Sequence, residues 1–232
     1  MHKVDAAMEA GKLPSADLIR GMGQLMGELR RKNAMVDGAG LRPSVTRARV
    51  RVSKGEPAIQ RGPYAGDHEL VAGMQMLEVH DLDEAIGWAT KFATAIGDAE
   101  VEVGPVTEGW DLGLMAKPAD APLRCLLLHK ADAASEAGGP LPAAAAAVTA
   151  EMKQAGVLLS AARLAPSRSG LRIRFSNQRA TVLDGPFTES KEMIAGYVIL
   201  DVESMDEARD FAAKFAGVIG DVELDIRLVA NP

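Results

Sequence analysis

The chain has 232 residues, of which 47% are hydrophobic and 25% are charged, and its formal net charge is −6. This length fits one large domain or two small ones, and an acidic chain argues against broad nucleic-acid binding. The single cysteine, Cys125, cannot form an intrachain disulfide, and no apolar run approaches the ~18 residues of a membrane-spanning helix. The composition therefore predicts a cytoplasmic protein with no membrane segment and no direct nucleic-acid contact.

Two stretches of the sequence recur in the same order. Residues 1–11 are identical to residues 128–138 at 8 of 11 positions, and residues 62–98 match residues 185–221 without gaps at 17 of 37 positions. A repeat of this length is too long for a solenoid unit. The chain is therefore predicted to contain two copies of one α+β module.

Each copy begins with the same predicted elements. Apolar residues spaced by threes and fours predict a helix after Pro14-Ser15, and the alanine-rich residues 143–155 predict its counterpart. Strands of strict alternation follow at residues 45–52 and 170–175, with arginines on one face and apolar residues on the other.

The second part of each copy also repeats. A turn and an apolar strand cover residues 61–79 and 184–202, a capped helix follows, and an alternating strand ends the copy. The order strand, helix, strand, strand, helix, strand is the ferredoxin-like arrangement. Copy 2 opens with an apolar strand that ends at Lys130, whereas copy 1 starts at the equivalent Met1-His2-Lys3 and lacks most of that strand.

Residues 184–192, Asp-Gly-Pro-Phe-Thr-Glu-Ser-Lys-Glu, resemble the signature of the YCII-related, DGPF-motif family. The resemblance covers copy 2 and, more weakly, copy 1. It implies two tandem ferredoxin-like modules packed sheet to sheet as an intramolecular pseudo-dimeric α/β barrel. Residues 1–106 would be a degenerate module, residues 107–122 a linker, and residues 123–232 the second module.

The resemblance also suggests partners. Some members of this branch are associated with extracytoplasmic-function sigma factors, so such a factor is an implied partner. A related branch is similar to small lyases with a His–Asp pair, but the first helix carries no histidine in either copy. That pair is therefore not transferred to this chain.

Asp184 and His129 are the candidate catalytic residues. Asp184 could act as a general base, or it could hold the Gly-Pro bend as a turn residue; copy 1 has Arg61 at its position. His129 lies at a predicted strand end, and so does its equivalent, His2. Either histidine could transfer a proton, or it could be a structural residue.

The candidate ligand-binding residues are mostly basic. If the helices cover one face of each sheet, the arginines of the alternating strands point into the cavity and would attract a carboxylate or phosphate; otherwise they form a solvated face. The candidates are Arg49, Arg51, Arg172, Arg174, Arg61, Lys191 and Tyr197. No spacing of His or Cys suggests a metal, and no nucleotide fingerprint suggests a cofactor.

Two functions fit these observations. The first is a non-catalytic module that binds a small anionic molecule or a protein partner, in sigma-factor-linked regulation. The alternative is a cofactor-free isomerase or lyase acting on a small carboxylic acid, with Asp184 and His129 as proton-transfer groups. Whether the chain is an enzyme stays open, as does the choice between a monomer that is a pseudo-dimer and a homodimer.

Overall fold

The computed structural model describes residues 1–67, 69–177, 179–187 and 191–230. Thr188, Glu189 and Ser190 of the turn motif lie outside the described residues. The strands are β1 (His2–Lys3), β2 (Met35–Gly40), β3 (Ala48–Ser53), β4 (Glu56–Arg61), β5 (Val71–Val79), β6 (Ala99–Pro105), β7 (Leu123–Lys130), β8 (Leu158–Arg163), β9 (Leu171–Ser176), β10 (Arg179–Asp184), β11 (Ile194–Leu200) and β12 (Val222–Ile226). The helices are α1 (Ala6–Glu9), α2 (Ala16–Arg31), α3 (Leu82–Ile96), α4 (Ala133–Glu136), α5 (Ala143–Gln154) and α6 (Met205–Ile219).

The strands form two antiparallel sheets of six strands, and each sheet combines both halves of the sequence. The first sheet has the order β4-β3-β6-β7-β5-β8, and the second has the order β10-β9-β12-β1-β11-β2. Strands β7 and β8 of the second half thus complete the sheet of the first half, and β1 and β2 of the first half complete the other. The α+β class is confirmed, but the two copies do not each build a separate sheet.

The expected closed barrel is wrong. Each sheet ends in edge strands that pair on one side only, namely β4 and β8 in the first sheet and β10 and β2 in the second. Because no described hydrogen-bonded ladder joins these edges, the sheets stay open. They face each other instead through an apolar cluster that includes Met74, Met76, Leu126, Ile194 and Tyr197.

Helices cover the outer face of each sheet. In the first sheet, Val50, Val101 and Leu127 project to the same side and pack against α3 and α5, and Phe92 of α3 belongs to the same cluster. In the second sheet, α2 and α6 pack on the equivalent face. This arrangement follows from strand alternation, since every second residue of β3 and β6 is apolar, as are Leu123, Cys125 and Leu127 of β7.

The turn motif has the same geometry in both halves. Gly62 and Gly185 lie against the short 3₁₀ turns that start at Ser44 and Ser167, and a side chain at either glycine would overlap the carbonyl oxygen of that serine. The backbone amide of Phe187 donates to Ser167 Oγ at 3.3 Å, and that of Tyr64 donates to Ser44 Oγ at 3.3 Å. The glycine of the motif is therefore required for close packing.

Among the described residues, no helix combines the length and the apolar character that crossing a membrane requires.

We predict that Gly185→Ala destabilises the protein by several kcal/mol, because the new methyl group would overlap backbone that cannot move independently. The matched control is Gly217→Ala in α6, where an added methyl group meets no atom within 4 Å. This change should stabilise by about 0.5–1 kcal/mol, since alanine favours helix. Urea denaturation measures both values, and equal effects would contradict the packing role of Gly185.

Candidate functional site

Charged side chains of both sheets project into the space between the sheets. Because Ala48, Val50 and Val52 face the helices, the arginines that alternate with them on β3 and just before it point the other way. Acidic residues of β6 pair directly across from them: Arg49 is opposite Glu102, and Arg51 is opposite Glu100. The pairing of β3 with β6 thus brings opposite charges together.

The first charge centre consists of Arg47, Arg49, Glu69, Glu102 and Lys130, and all five side chains are buried. Arg49 lies 3.0 Å from Glu69 and 3.5 Å from Glu102. The amine of Lys130 contacts Glu69 and lies 3.6 Å from Glu102. Arg49 and Lys130 therefore share two buried carboxylates, and Arg47 lies 2.8 Å from one of them, Glu102.

Charge pairing determines the ionisation of this centre. Burial alone would raise the pKa of the Glu102 carboxyl, but Lys130, Arg47 and Arg49 hold that pKa below its ordinary value. Arg51, at the exposed edge, pairs with Glu100 and Asp67. The guanidinium of Arg49 also lies over the Tyr64 ring, 4.3 Å from its centroid. Every cation of the first centre is therefore paired with a carboxylate of the chain itself.

The second charge centre consists of Lys3, Arg172, Glu223, Asp225 and Arg227. Arg172 makes two hydrogen bonds to the Asp225 carboxylate, at 2.6 and 2.9 Å, and Lys3 Nζ lies 3.3 Å from the same carboxylate. Arg172 lies 4.9 Å from the centroid of the Phe187 ring, as Arg49 does over Tyr64. At the exposed edge, Arg174 pairs with Glu223.

Each centre contains one guanidinium that binds an equivalent pair of carbonyl oxygens. The arginine that supplies it comes from a different part of the chain in each half. Arg47, before β3, donates to the carbonyl oxygens of Arg42 and Ile194. Arg227, after β12, donates to those of Ala165 and Val71, which are the equivalent residues of the other half.

The strand opposite each of these arginines carries a glycine. A Cβ at Gly104 would overlap the Arg47 side chain, and one at Gly170 would lie 2.8 Å from Arg227 Cδ. The position that bears the arginine in one half thus bears the glycine in the other.

The centres differ in one carboxylate. Glu69 is fully buried between Arg49 and Lys130, whereas its equivalent, Glu192, is exposed. Burial lowers the pKa of the Lys3 amine, and the nearby Asp225 only partly offsets this. The buried amine of Lys3 therefore has fewer buried acidic neighbours than that of Lys130.

The two candidate catalytic residues lie in different sheets. Asp184 is exposed at the end of edge strand β10 and pairs with Leu171, so its side chain is on the opposite face from Arg172. His129 is on the helix-covered face of β7, 6.0 Å from the Phe92 ring, and burial lowers its pKa. The structure therefore does not bring Asp184, His129 and Arg172 together.

The other predicted residues are also spread over the molecule. Arg61 pairs with Asp83 at the start of α3, on the helix side of the first sheet. Lys191 is exposed. Tyr197 is buried between the sheets and donates a 2.7 Å hydrogen bond to Asp37 Oδ2.

Asp37 is a residue that the sequence did not single out. Its carboxylate accepts hydrogen bonds from Tyr197 and from Ser160 Oγ, at 3.0 Å, which joins β2 of one sheet to β8 of the other. Burial and the Asp37 charge raise the pKa of the Tyr197 phenol. No local motif marks Asp37, because its partners are 123 and 160 positions away in the sequence.

We predict that Arg47→Gly and Gly104→Arg are each destabilising alone and compensate for each other when combined. The first removes a buried guanidinium, at a cost of about 3–5 kcal/mol, and the second overlaps Arg47. The double variant reproduces the arrangement of Gly170 and Arg227. A double-mutant cycle by urea unfolding should give a coupling energy of at least about 2 kcal/mol, and simple additivity would contradict the equivalence.

We further predict unequal effects for the two equivalent glutamates. Glu69→Gln should cost about 3–5 kcal/mol, since it removes one of the two buried carboxylates that Arg49 and Lys130 share. Glu192→Gln is the matched control and should cost less than about 1 kcal/mol, because the side chain is exposed. Equal losses in denaturant unfolding would show that the centres are not different.

Comparison with known proteins gives a limited result. No solved structure matches the chain significantly. An uncharacterised protein of Rhizobium meliloti (strain 1021) is 42% identical over 66 residues, which is 28% of this chain and 53% of that protein. The aligned region thus spans about half the length of that relative. Residues 123–222 match the model of the YCII-related domain.

Proposed function

We propose that the chain binds a small anion, a carboxylate or phosphate, at the second charge centre beside Lys3 and Arg172. The observation that carries this proposal is the difference between Lys3 and Lys130. Lys130 lies near two buried carboxylates, whereas the close carboxylate of Lys3 is Asp225, which it shares with Arg172; Arg172 also lies 3.5 Å from Glu223. An external anion would take the place that Glu69 holds in the first centre.

Electrostatics favours such a ligand. Lys3 is 5% exposed, and burial disfavours its charged form. A bound anion offsets this desolvation, and hydrogen bonds between charged groups are about twice as strong as neutral ones. The expected ligand is small. In the first centre the equivalent position is filled by the Glu69 carboxylate, which is a single planar group between one amine and one guanidinium.

We also infer that the chain arose by duplication of one ferredoxin-like DGPF module, with residues 1–106 and 123–232 as the copies and residues 107–122 as the linker. Equivalent contacts support this inference. Glu9 binds Ser44 as Glu136 binds Ser167. The His2 ring lies 5.2 Å from Phe215, as His129 lies near Phe92. A sigma factor as partner stays a prediction.

The anion proposal is tested by thermal denaturation and calorimetry with acetate, benzoate and inorganic phosphate at constant ionic strength, with chloride as the reference anion. We expect at least one probe to raise the melting temperature of the wild-type chain, because a ligand that binds only the folded state stabilises it. Lys3→Met should remove that shift. The control Arg174→Met, at a side chain that is 65% exposed, should keep it.

A second variant tests whether a free carboxylate can occupy such a position. Glu69→Ala removes the internal carboxylate of the first centre, and acetate should restore part of the lost stability. Rescue of Glu69→Ala without any effect of the probes on the wild-type chain would overturn the proposal for the second centre. Equal shifts in wild type and Lys3→Met would overturn it as well.

A further inference from the structure

Glu69 reaches Lys130 from a main chain that is fixed in place. The backbone amide of Ala131, which follows Lys130, donates to the carbonyl oxygen of Leu70 at 2.7 Å, and Leu70 follows Glu69. The side chain of Leu70 is buried as well. This attachment holds the main chain of Glu69 beside Lys130, and the Glu69 carboxylate contacts the Lys130 amine.

The main chain of Glu192 has the same attachment in the second centre. The backbone amide of Val4, which follows Lys3, donates to the carbonyl oxygen of Met193 at 2.8 Å, and the buried Met193 follows Glu192. The side chains nevertheless differ in direction, because Glu192 is exposed whereas Glu69 is fully buried. The main chain of Glu192 is therefore held beside Lys3 while its side chain faces solvent.

The charge of Glu192 already acts on the second centre. Burial lowers the pKa of the Arg172 guanidinium, but the hydrogen bonds and charge of Asp225 and the charges of Glu223 and Glu192 raise that pKa above its ordinary value. Because the interaction of two charges falls with their distance, this effect places the Glu192 carboxylate near Arg172.

The main chain before Glu192 packs against the loop that carries Glu69. A Cβ at Gly66 would overlap the carbonyl oxygen of Lys191 and would lie 3.1 Å from Glu69 Cγ. The absence of a side chain at Gly66 thus permits this close contact between the two halves. Since the main chain is held on both sides of Glu192, a change between an outward and an inward position is a rotation of its side chain.

We propose that Glu192 is an internal competitor for the anion site, because its side chain also turns inward and takes the position beside Lys3 that Glu69 takes beside Lys130. This inference rests on the proposed anion site. The Glu192 carboxylate and an external anion carry the same charge and would bind the same amine, so they exclude each other. The affinity for the anion then depends on the fraction of molecules in which Glu192 is outward.

Opposing electrostatic terms set the balance between the two positions. The inward position removes a carboxylate from water, which is costly, and the attraction of the buried lysine offsets this cost. In the first centre the balance favours the inward position, where Glu69 also lies 3.0 Å from Arg49. In the second centre the outward side chain indicates that cost and gain are closer, which leaves the Lys3 amine available to an external anion.

The test measures the affinity of the full chain for inorganic phosphate and for acetate by isothermal titration calorimetry at constant ionic strength. Glu192→Gln and Glu192→Asp should each bind the anion more tightly than the wild type, because glutamine lacks the charge and aspartate is too short to reach Lys3. The expected gain is at least about twofold, which corresponds to an inward population of about one half. Glu192→Asp keeps the charge, so it separates competition from a general effect of net charge.

Glu56→Gln is the matched control. It removes one negative charge from the exposed edge strand β4 of the other sheet and should leave the affinity unchanged. Wild-type affinity in Glu192→Asp would overturn the competitor role, whether or not Glu192→Gln binds more tightly, and would leave the anion site itself intact. Absence of binding in the wild type and in every variant would instead overturn the proposed function, and this inference with it.

Discussion

The structure depends on the exchange of central strands between the two halves of the chain. β7 lies between β5 and β6 of the first half, and β1 lies between β11 and β12 of the second half. Each charge centre consequently combines residues from both halves, since Lys130 meets Glu69 and Lys3 meets Asp225. These ion pairs between the two halves can form only when both halves are folded together.

The charge centres show that geometry can be kept while the residues that create it change. Arg47 and Arg227 approach from different strands, yet their guanidinium groups bind equivalent pairs of carbonyl oxygens. In each case a glycine on the neighbouring strand provides the necessary space. A buried guanidinium without partners is costly. A change at the arginine of such a pair therefore demands a change at the neighbouring glycine, and the reverse.

The two charge centres differ in the surroundings of their buried lysines. The Lys130 amine lies near two buried carboxylates, whereas the Lys3 amine has Asp225 as its close carboxylate. This difference is the reason why we propose an anion site beside Lys3 and not beside Lys130.

The sequence shows the repeat and predicts the helix caps and the alternation of arginines with apolar residues, but it does not predict strands β2, β4, β8 and β10. Those features are local, and the side chains of neighbouring residues decide them. For example, Asp81 and Ser204 accept hydrogen bonds from Glu84 and Glu207, as the capping pattern predicted. The tertiary structure alone shows which strands share a sheet, because the pairing joins residues that are far apart in the sequence, such as His2 with Gly196 and Gly73 with Arg163. It therefore also decided that Asp184 and Arg172 lie on opposite faces, that Glu69 is buried while Glu192 is exposed, and that Asp37 joins the sheets.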